Sequence, residues 1–262
     1  MRDTGYRILA DGVTASNDTW ATGLANHDLI IGPTGGGKTR GYVLPNLLSS
    51  QESFVVTDSK GTLRRQVGGI LERRGFQLLE LDFTDLLHSP WGYNPLRFIR
   101  YDMERECWNE QDIITVAAAL VPVEDKTQPF WEYAARNLLE ALIGYTLECL
   151  PAEEHDLTSV ARLFSEAETG VLDELMRELC TIDPGGFVAM RWRSLQTCRR
   201  ADKMYGSILG ILAQKISNFS FSGAQEMFIN PNQVDFAAIS HTPTAVFVRV
   251  SDNDFSLNNL TS

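Results

Sequence analysis

Residues Gly32 to Thr39 read Gly-Pro-Thr-Gly-Gly-Gly-Lys-Thr and constrain the fold more tightly than any other stretch of the chain. They match G-x-x-x-x-G-K-[ST], a pattern whose chemistry requires a loop between a strand and a helix. Gly32, Gly35, Gly36 and Gly37 lack a Cβ, so the backbone can take positive φ and turn successive N–H groups toward one anion. The helix that begins near Gly37 adds the partial positive charge of its N-terminus. In such a loop Lys38 faces the β and γ phosphates of a nucleotide, and Thr39 presents its hydroxyl to the magnesium ion bridging them. Gly32, Pro33, Thr34, Gly35, Gly36, Gly37, Lys38, Thr39 and Arg40 are therefore the expected nucleotide site.

The surroundings agree with that order. Asp28-Leu29-Ile30-Ile31 is a short apolar run suited to a buried parallel strand, and Thr39 to Leu48 can begin a helix. Two more β-rich runs, Phe54 to Thr57 and Gln77 to Asp82, leave room for helices over roughly 38–50 and 61–74. The second helix carries Leu63, Val67, Ile70 and Leu71 with Arg64, Arg65, Arg73 and Arg74 outside; Gly68 and Gly69 weaken it and Gly75 caps it. Pro45 is expected to kink or end the first. Alternating strands and helices predict an α/β fold built on a mainly parallel sheet covered on both faces.

From about 103 to 219 the periodicity is helical, with almost no strand signal, which predicts an inserted all-α domain. Its clearest helix runs from Phe130 to Leu150. Trp131, Ala135, Leu138, Leu142, Tyr145 and Cys149 form one apolar face, which favours packing over recognition as the role of Trp131, while Glu132, Arg136 and Glu140 line another face. Further helices are expected over roughly 112–121, 157–180 and 200–219. Strand character returns at Thr244 to Val250, after Pro243, and the chain then runs into the polar stretch Asp252-Asn253-Asp254. The expected division is a first nucleotide-binding part over 1–97, the helical insert over 98–200 and a return to the first domain over 201–262.

With 262 residues and 44% apolar content the chain fills the core of one large α/β domain or of one domain with an insertion. No run approaches the roughly 20 apolar residues that cross a bilayer, and the N-terminus carries no signal-peptide pattern, so the chain as given is expected to be soluble. Cys107, Cys149, Cys180 and Cys198 form no C-x-x-C pair, which points to a reducing cytosol rather than a zinc site or disulfide framework. The formal net charge of −11 is uneven: residues 102–183 carry 19 acidic against 5 basic side chains, whereas 191–215 carry 6 basic against 1 acidic. The acidic stretch is repelled by a phosphate backbone and suits solvent or a basic protein. The run Arg191, Arg193, Arg199, Arg200, Lys203 is open to two readings, contact with nucleic acid or pairing with those carboxylates, and pairing is favoured.

Hydrolysis also needs a carboxylate at a second strand end. Asp58, closing Phe54-Val55-Val56-Thr57-Asp58, is the candidate; it serves either as the magnesium-side acid or as the cap of the following helix. Lys60 is a further candidate contact to phosphate or to a neighbouring subunit. The absence of N-K-x-D disfavours a GTPase, and that of L-S-G-G-Q a transporter ATPase.

Four stretches resemble the TraG/TraD-type coupling proteins of type IV secretion and conjugation, within the HerA and FtsK-like group: the loop Gly32–Thr39, Val43-Leu44-Pro45-Asn46-Leu47-Leu48, Val55-Val56-Thr57-Asp58-Ser59-Lys60-Gly61 and Tyr93-Asn94-Pro95-Leu96. Phe130-Trp131 and the late strand are similar too. The resemblance implies a RecA-like P-loop NTPase domain interrupted by an all-α domain, using ATP and Mg2+. It implies DNA with a relaxase or accessory protein as cargo, and secretion-channel components as partners. A hexameric ring, anchored by an N-terminal membrane segment at the cytoplasmic face of the cell membrane, would carry them. The rivals are another P-loop DNA translocase and a non-hydrolysing nucleotide-dependent assembly module. Two departures stand out. Members usually read Asp-Pro-Lys-Gly-Glu where this chain has Asp58-Ser59-Lys60-Gly61-Thr62, and their strand ending in Asp-Glu falls beyond the late strand, so a fragment is expected in which Asp58 is not the main acid.

Overall fold

The computed structural model describes residues 5–167, 169–199 and 202–251. In chain order its elements begin with β1 (Tyr6–Ala10), β2 (Val13–Ser16), α1 (Thr19–Thr22) and a π-helical turn (Thr39–Val43) that continues into α2 (Leu44–Ser49). Then come β3 (Phe54–Thr57), α3 (Leu63–Arg73), β4 (Gln77–Asp82), β5 (Tyr101–Asp102) and β6 (Cys107–Trp108). The helices α4 (Glu110–Leu120), α5 (Phe130–Cys149), α6 (Leu157–Ser165), α7 (Val171–Ile182), α8 (Phe187–Arg199), α9 (Asp202–Ile216) and α10 (Ser222–Ile229) precede β7 (Thr244–Arg249). Two compact units result among the described residues, one from 5–84 together with 234–251, the other from Asp85–Gln233. The divisions fall at 84/85 and 233/234 rather than at 97/98 and 200/201, because α9 and α10 pack among the other helices.

The first unit is an α/β layer. β7 lies between β3 and β4, parallel to both, with Val55 opposite Val246 and Leu79 opposite Val246 from the other side. Its run Thr-Ala-Val-Phe is buried throughout, the pattern of a strand covered on both faces. Leu47, Leu63, Val67, Leu71 and Phe76 close over Ala245 and Phe247, and Phe54 meets the Phe247 ring edge-on at 6.3 Å. Gly68, read from sequence as a weak point, has a purpose: a Cβ there would lie 3.1 Å from the Leu78 methyl, so its absence lets α3 sit close on β4. Gly75, at φ +88, ends α3 in a Schellman motif, its N–H on the Glu72 carbonyl and that of Phe76 on Leu71. Ile70, placed on the apolar side from sequence, is instead 38% exposed.

Two expectations for this unit need correction. Residues 28–31 form no strand: no described strand runs beside them, and Leu29 and Ile31 are 84% and 87% exposed. An apolar run becomes a strand only where a neighbour supplies the ladder, and among the described strands β3, at the edge of the sheet, pairs with β7 alone. Pro45 does not end the first helix. The Leu44 N–H reaches five residues back to the Thr39 carbonyl, and this π register leads into α2 at Pro45, where a missing N–H is tolerated.

The second unit is helical, apart from the two-residue pairing of β5 with β6, and centres on α5, which packs against α4, α6, α8 and α9. The one-face reading of α5 was too narrow. Leu138, Leu139, Ala141, Leu142 and Ile143 are fully buried, and so nearly are Glu132 and Glu140, whereas Cys149 is exposed and Trp131 half-buried. The polar side chains of that face meet internal partners, although Glu140 Oε2 and Arg191 Nε share an ion pair without a hydrogen bond. The Glu132 carboxylate accepts the Glu124 and Asp125 N–H groups, Arg136 donates to the Val121 carbonyl, and Glu140 pairs with Arg191 at 2.7 Å. Part of the basic run is spent in the same way, while Lys203 is exposed. Arg199 pairs with Asp173 beneath the Trp192 and Tyr205 rings, and Arg193 donates to the Pro184 carbonyl; Arg200 lies outside the described residues. The helix expected over 157–180 is two helices, broken before Gly170, which takes φ +85. The strand expected to reach Val250 ends at Arg249, and the polar stretch from Asp252 lies outside the described residues.

At the end of α5, loss of water around the carboxyl and the like charges of Asp183 and Glu110 push the Glu148 carboxyl up to about 7, although the residue as a whole is exposed. A carboxyl that holds its proton in the folded chain but loses it in the unfolded one makes stability fall as pH rises between the two pKa values. Glu148→Gln is therefore expected to melt above the wild type at pH 8 and level with it near pH 4, read by thermal denaturation followed by circular dichroism. A difference that stays constant with pH would refute this account.

Candidate nucleotide-binding site

The loop from Gly32 to Thr39 has the backbone its composition demands, with one refinement. Gly35 and Gly37 take φ +76 and +83, whereas Gly32 and Gly36 do not adopt positive φ. Gly36 answers to space instead. Its N–H donates to the Pro33 carbonyl at 3.0 Å, and a Cβ there would stand 3.0 Å from that oxygen. Every residue from Gly32 to Arg40 is exposed, and among the described residues the N–H groups of Gly35, Gly37, Lys38 and Thr39 have no acceptor. Helix begins at Lys38 and Thr39, so these amides add to a positive helix N-terminus. The Lys38 ammonium bends back over the loop and donates to the Gly32 and Pro33 carbonyls at 2.6 and 3.0 Å. The result is a cluster of N–H donors under a lysine, a donor set that suits an anion and matches phosphate oxygens.

Three charged groups mark the C-terminal ends of the parallel strands, the side on which open α/β sheets take ligands. Asp58, just past β3, is buried, and its Oδ2 accepts the Leu63 N–H at 2.7 Å. The geometry thus supplies the capping reading of Asp58 directly. Asp82 ends β4, accepts the Thr84 N–H and hydroxyl at 2.9 and 2.6 Å, and pairs with Arg249 at the end of β7. Arg249 lies against Gly61, which takes φ +61, and a Cβ there would stand 2.9 Å from the Arg249 Nε. Sequence reasoning missed this pair, although Leu-Glu-Leu-Asp at 79–82 is also an apolar run closing in an acid. It missed Arg7, Asp28, Tyr42 and Asn46 as well, which flank the loop. Asn46 carried a signal, since it lies within one of the four family-like stretches. Among the described residues no group of three or more His, Cys, Asp or Glu side chains is placed to hold a metal ion, and no helix is long and apolar enough to cross a membrane.

Fold and site together define a RecA-like P-loop protein with a helical unit between its strands. The family described as type IV secretory system conjugative DNA transfer matches residues 4–261, and the chain belongs to it. The bacterial conjugative coupling protein TrwBdeltaN70, in its unbound monoclinic form, is similar over 99% of this chain and 53% of its own, with a TM-score of 0.63 and 16% identity. That likeness shows the fold. The plasmid coupling protein TrwB in complex with ADP and Mg2+ also matches, over 98% of this chain and 58% of its own, with a TM-score of 0.46 and 14% identity. The chain thus spans about half the length of the solved structures it resembles. No curated protein matches it in sequence.

Proposed function

We propose that this chain binds Mg·ATP at Gly32–Arg40 and forms the nucleotide-binding part of a coupling ATPase. In that reading the whole protein drives DNA, with a bound relaxase or accessory protein, into a type IV secretion channel. The observation that carries the nucleotide reading is the loop itself: free amides at Gly35, Gly37, Lys38 and Thr39 beneath the Lys38 ammonium. On phosphate binding Lys38 exchanges its two carbonyl acceptors for β and γ oxygens, at little cost because both states give the ammonium charged or polar partners. The Thr39 hydroxyl is the proposed magnesium ligand from the protein. Asp58 has the position of a magnesium-side acid but spends one carboxylate oxygen on α3, so its proposed share is to hold the turn Asp58–Gly61 in place. Lys60 and Arg40 remain proposed outer contacts. The helical unit is the proposed cargo surface, where its acidic excess between 102 and 183 favours a basic protein over DNA. A membrane-anchored homohexamer, with secretion-channel components as neighbours, is the proposed setting of the whole protein.

Phosphate release by the 262-residue chain, with and without DNA, tests the reading. Release stimulated by DNA is the expected result for a translocating motor. Binding of Mg·ATP with no release, with or without DNA, would sink the motor assignment for this chain taken alone and leave either a nucleotide-dependent assembly module or a part of a motor whose main acid lies elsewhere.

A further inference from the structure

The phosphate-binding loop is held at both flanks by one hairpin. Upstream, the Asp28 carboxylate accepts from Arg7 Nε at 2.7 Å, and the same guanidinium donates to the Ser16 carbonyl at 2.8 Å and to Asn26 at 2.9 Å. Downstream, the next residue of β1, Ile8, makes a paired contact with the Asn46 side chain. Its N–H donates to the amide oxygen at 2.7 Å, and its carbonyl accepts from the amide nitrogen at 2.8 Å. The Tyr42 hydroxyl closes the figure, donating to Asp28 at 2.8 Å, while the Tyr42 carbonyl accepts from Asn46 at 2.8 Å. Adjacent residues of β1 therefore grip the segment that leads into the loop and the helix that leads out of it. The Arg7 and Asp28 side chains are each only 15% exposed, although the backbone around Asp28 is open.

This arrangement matters because the upstream segment has little else to fix it: among the described residues its other tie to the hairpin is Asn26, whose side-chain amide donates to the Asn17 carbonyl at 2.8 Å. Residues 23–33 lie in no strand, and Lys38 bonds only the loop's own carbonyls. Backbone amides bind an anion well only when they already converge, since any rearrangement on binding is subtracted from affinity. We infer that Arg7, Asp28, Tyr42 and Asn46 are positioning residues that set the spacing between the two flanks of the phosphate-binding loop, with the β1–β2 hairpin as their brace. The inference rests on the nucleotide reading above for its ligand, but the brace itself does not.

The test uses the full 262-residue chain and two variants, Tyr42→Phe, which removes one hydroxyl, and Asp28→Asn, which removes the charge but keeps the shape. Loss of one hydrogen bond to a charged group is expected to weaken Mg·ATP binding about three- to tenfold in Tyr42→Phe, and further in Asp28→Asn. Calorimetric titration well below the melting temperature measures this. Hydrogen exchange in nucleotide-free protein supplies the second readout, at the Gly41 and Leu44 amides that donate to Gly37 and Thr39. Both should exchange faster in the variants. A lowered melting temperature with affinity and exchange unchanged would show the clasp to be a stability feature alone and overturn the inference. If the wild type takes up no Mg·ATP, the nucleotide reading fails, and the exchange rates alone decide the brace.

Discussion

Lys38→Ala is expected to weaken Mg·ATP binding by about 100-fold or more and to abolish any phosphate release, while the circular dichroism spectrum and melting curve stay those of the wild type. The first half follows from charge. An ammonium on two phosphate oxygens makes two charge-assisted hydrogen bonds, each worth roughly 1.5–3 kcal/mol, and about 1.4 kcal/mol is a factor of ten in affinity. The second half follows from exposure. Lys38 is exposed, and its two hydrogen bonds go to the Gly32 and Pro33 carbonyls, which water can satisfy when the side chain is gone. Calorimetry against Mg·ATP, with Mg·ADP as a comparison, measures the binding. An affinity within threefold of the wild type would show that the anion cradle is not where the nucleotide sits.

Local physics made much of this chain legible. The glycine pattern, the lysine and the following helix are a short-range device, and the structure reproduces them with only the division of labour among glycines changed: two for positive φ, one for close approach. Phe54–Thr57, Gln77–Asp82 and Thr244–Arg249 were readable as strands from short apolar, β-rich runs, although only β7 has a continuous buried stretch and β3 leaves Val55 exposed. What failed were readings that depend on distant partners. Residues 28–31 have strand composition and no ladder. Glu132 and Glu140 have the spacing of a solvated face, yet α8 and the 121–125 segment fold over that face, and their partners Arg191 and the 124 and 125 amides are remote in sequence. The same nonlocality hid Asp28, whose two partners lie 21 residues before it and 14 after. Asp58 shows the converse: the sequence admitted two roles, and one hydrogen bond to Leu63 gives a concrete structural task without removing the acid from its strand end.

Phe247→Ala is expected to destabilise the α/β unit by about 3–5 kcal/mol, the range for truncating a fully buried phenylalanine. The side chain has no exposed surface, meets the Phe54 ring edge-on, and joins the core formed by Leu63, Val67 and Leu71 of α3. Its position makes the cost structural as well as local. β7 is the central strand, so among the described strands the ladders of β3 and β4 meet only in it, and in the sequence it follows a helical unit of about 150 residues. Weakening β7 therefore loosens both ladders at once, and with them Asp58 and the Arg249–Asp82 pair at the strand ends. Urea unfolding followed by two probes separates the units: Trp20 is the tryptophan of the α/β unit, and the other four belong to the helical one. Because Trp20 is 97% exposed and insensitive to packing, amide exchange at Val56 and Leu79 reports the sheet, while fluorescence reports the helices. Early exchange at both strands with the fluorescence transition unmoved is the expected outcome. Loss of less than about 1 kcal/mol would mean that residues 244–249 do not form the centre of the sheet.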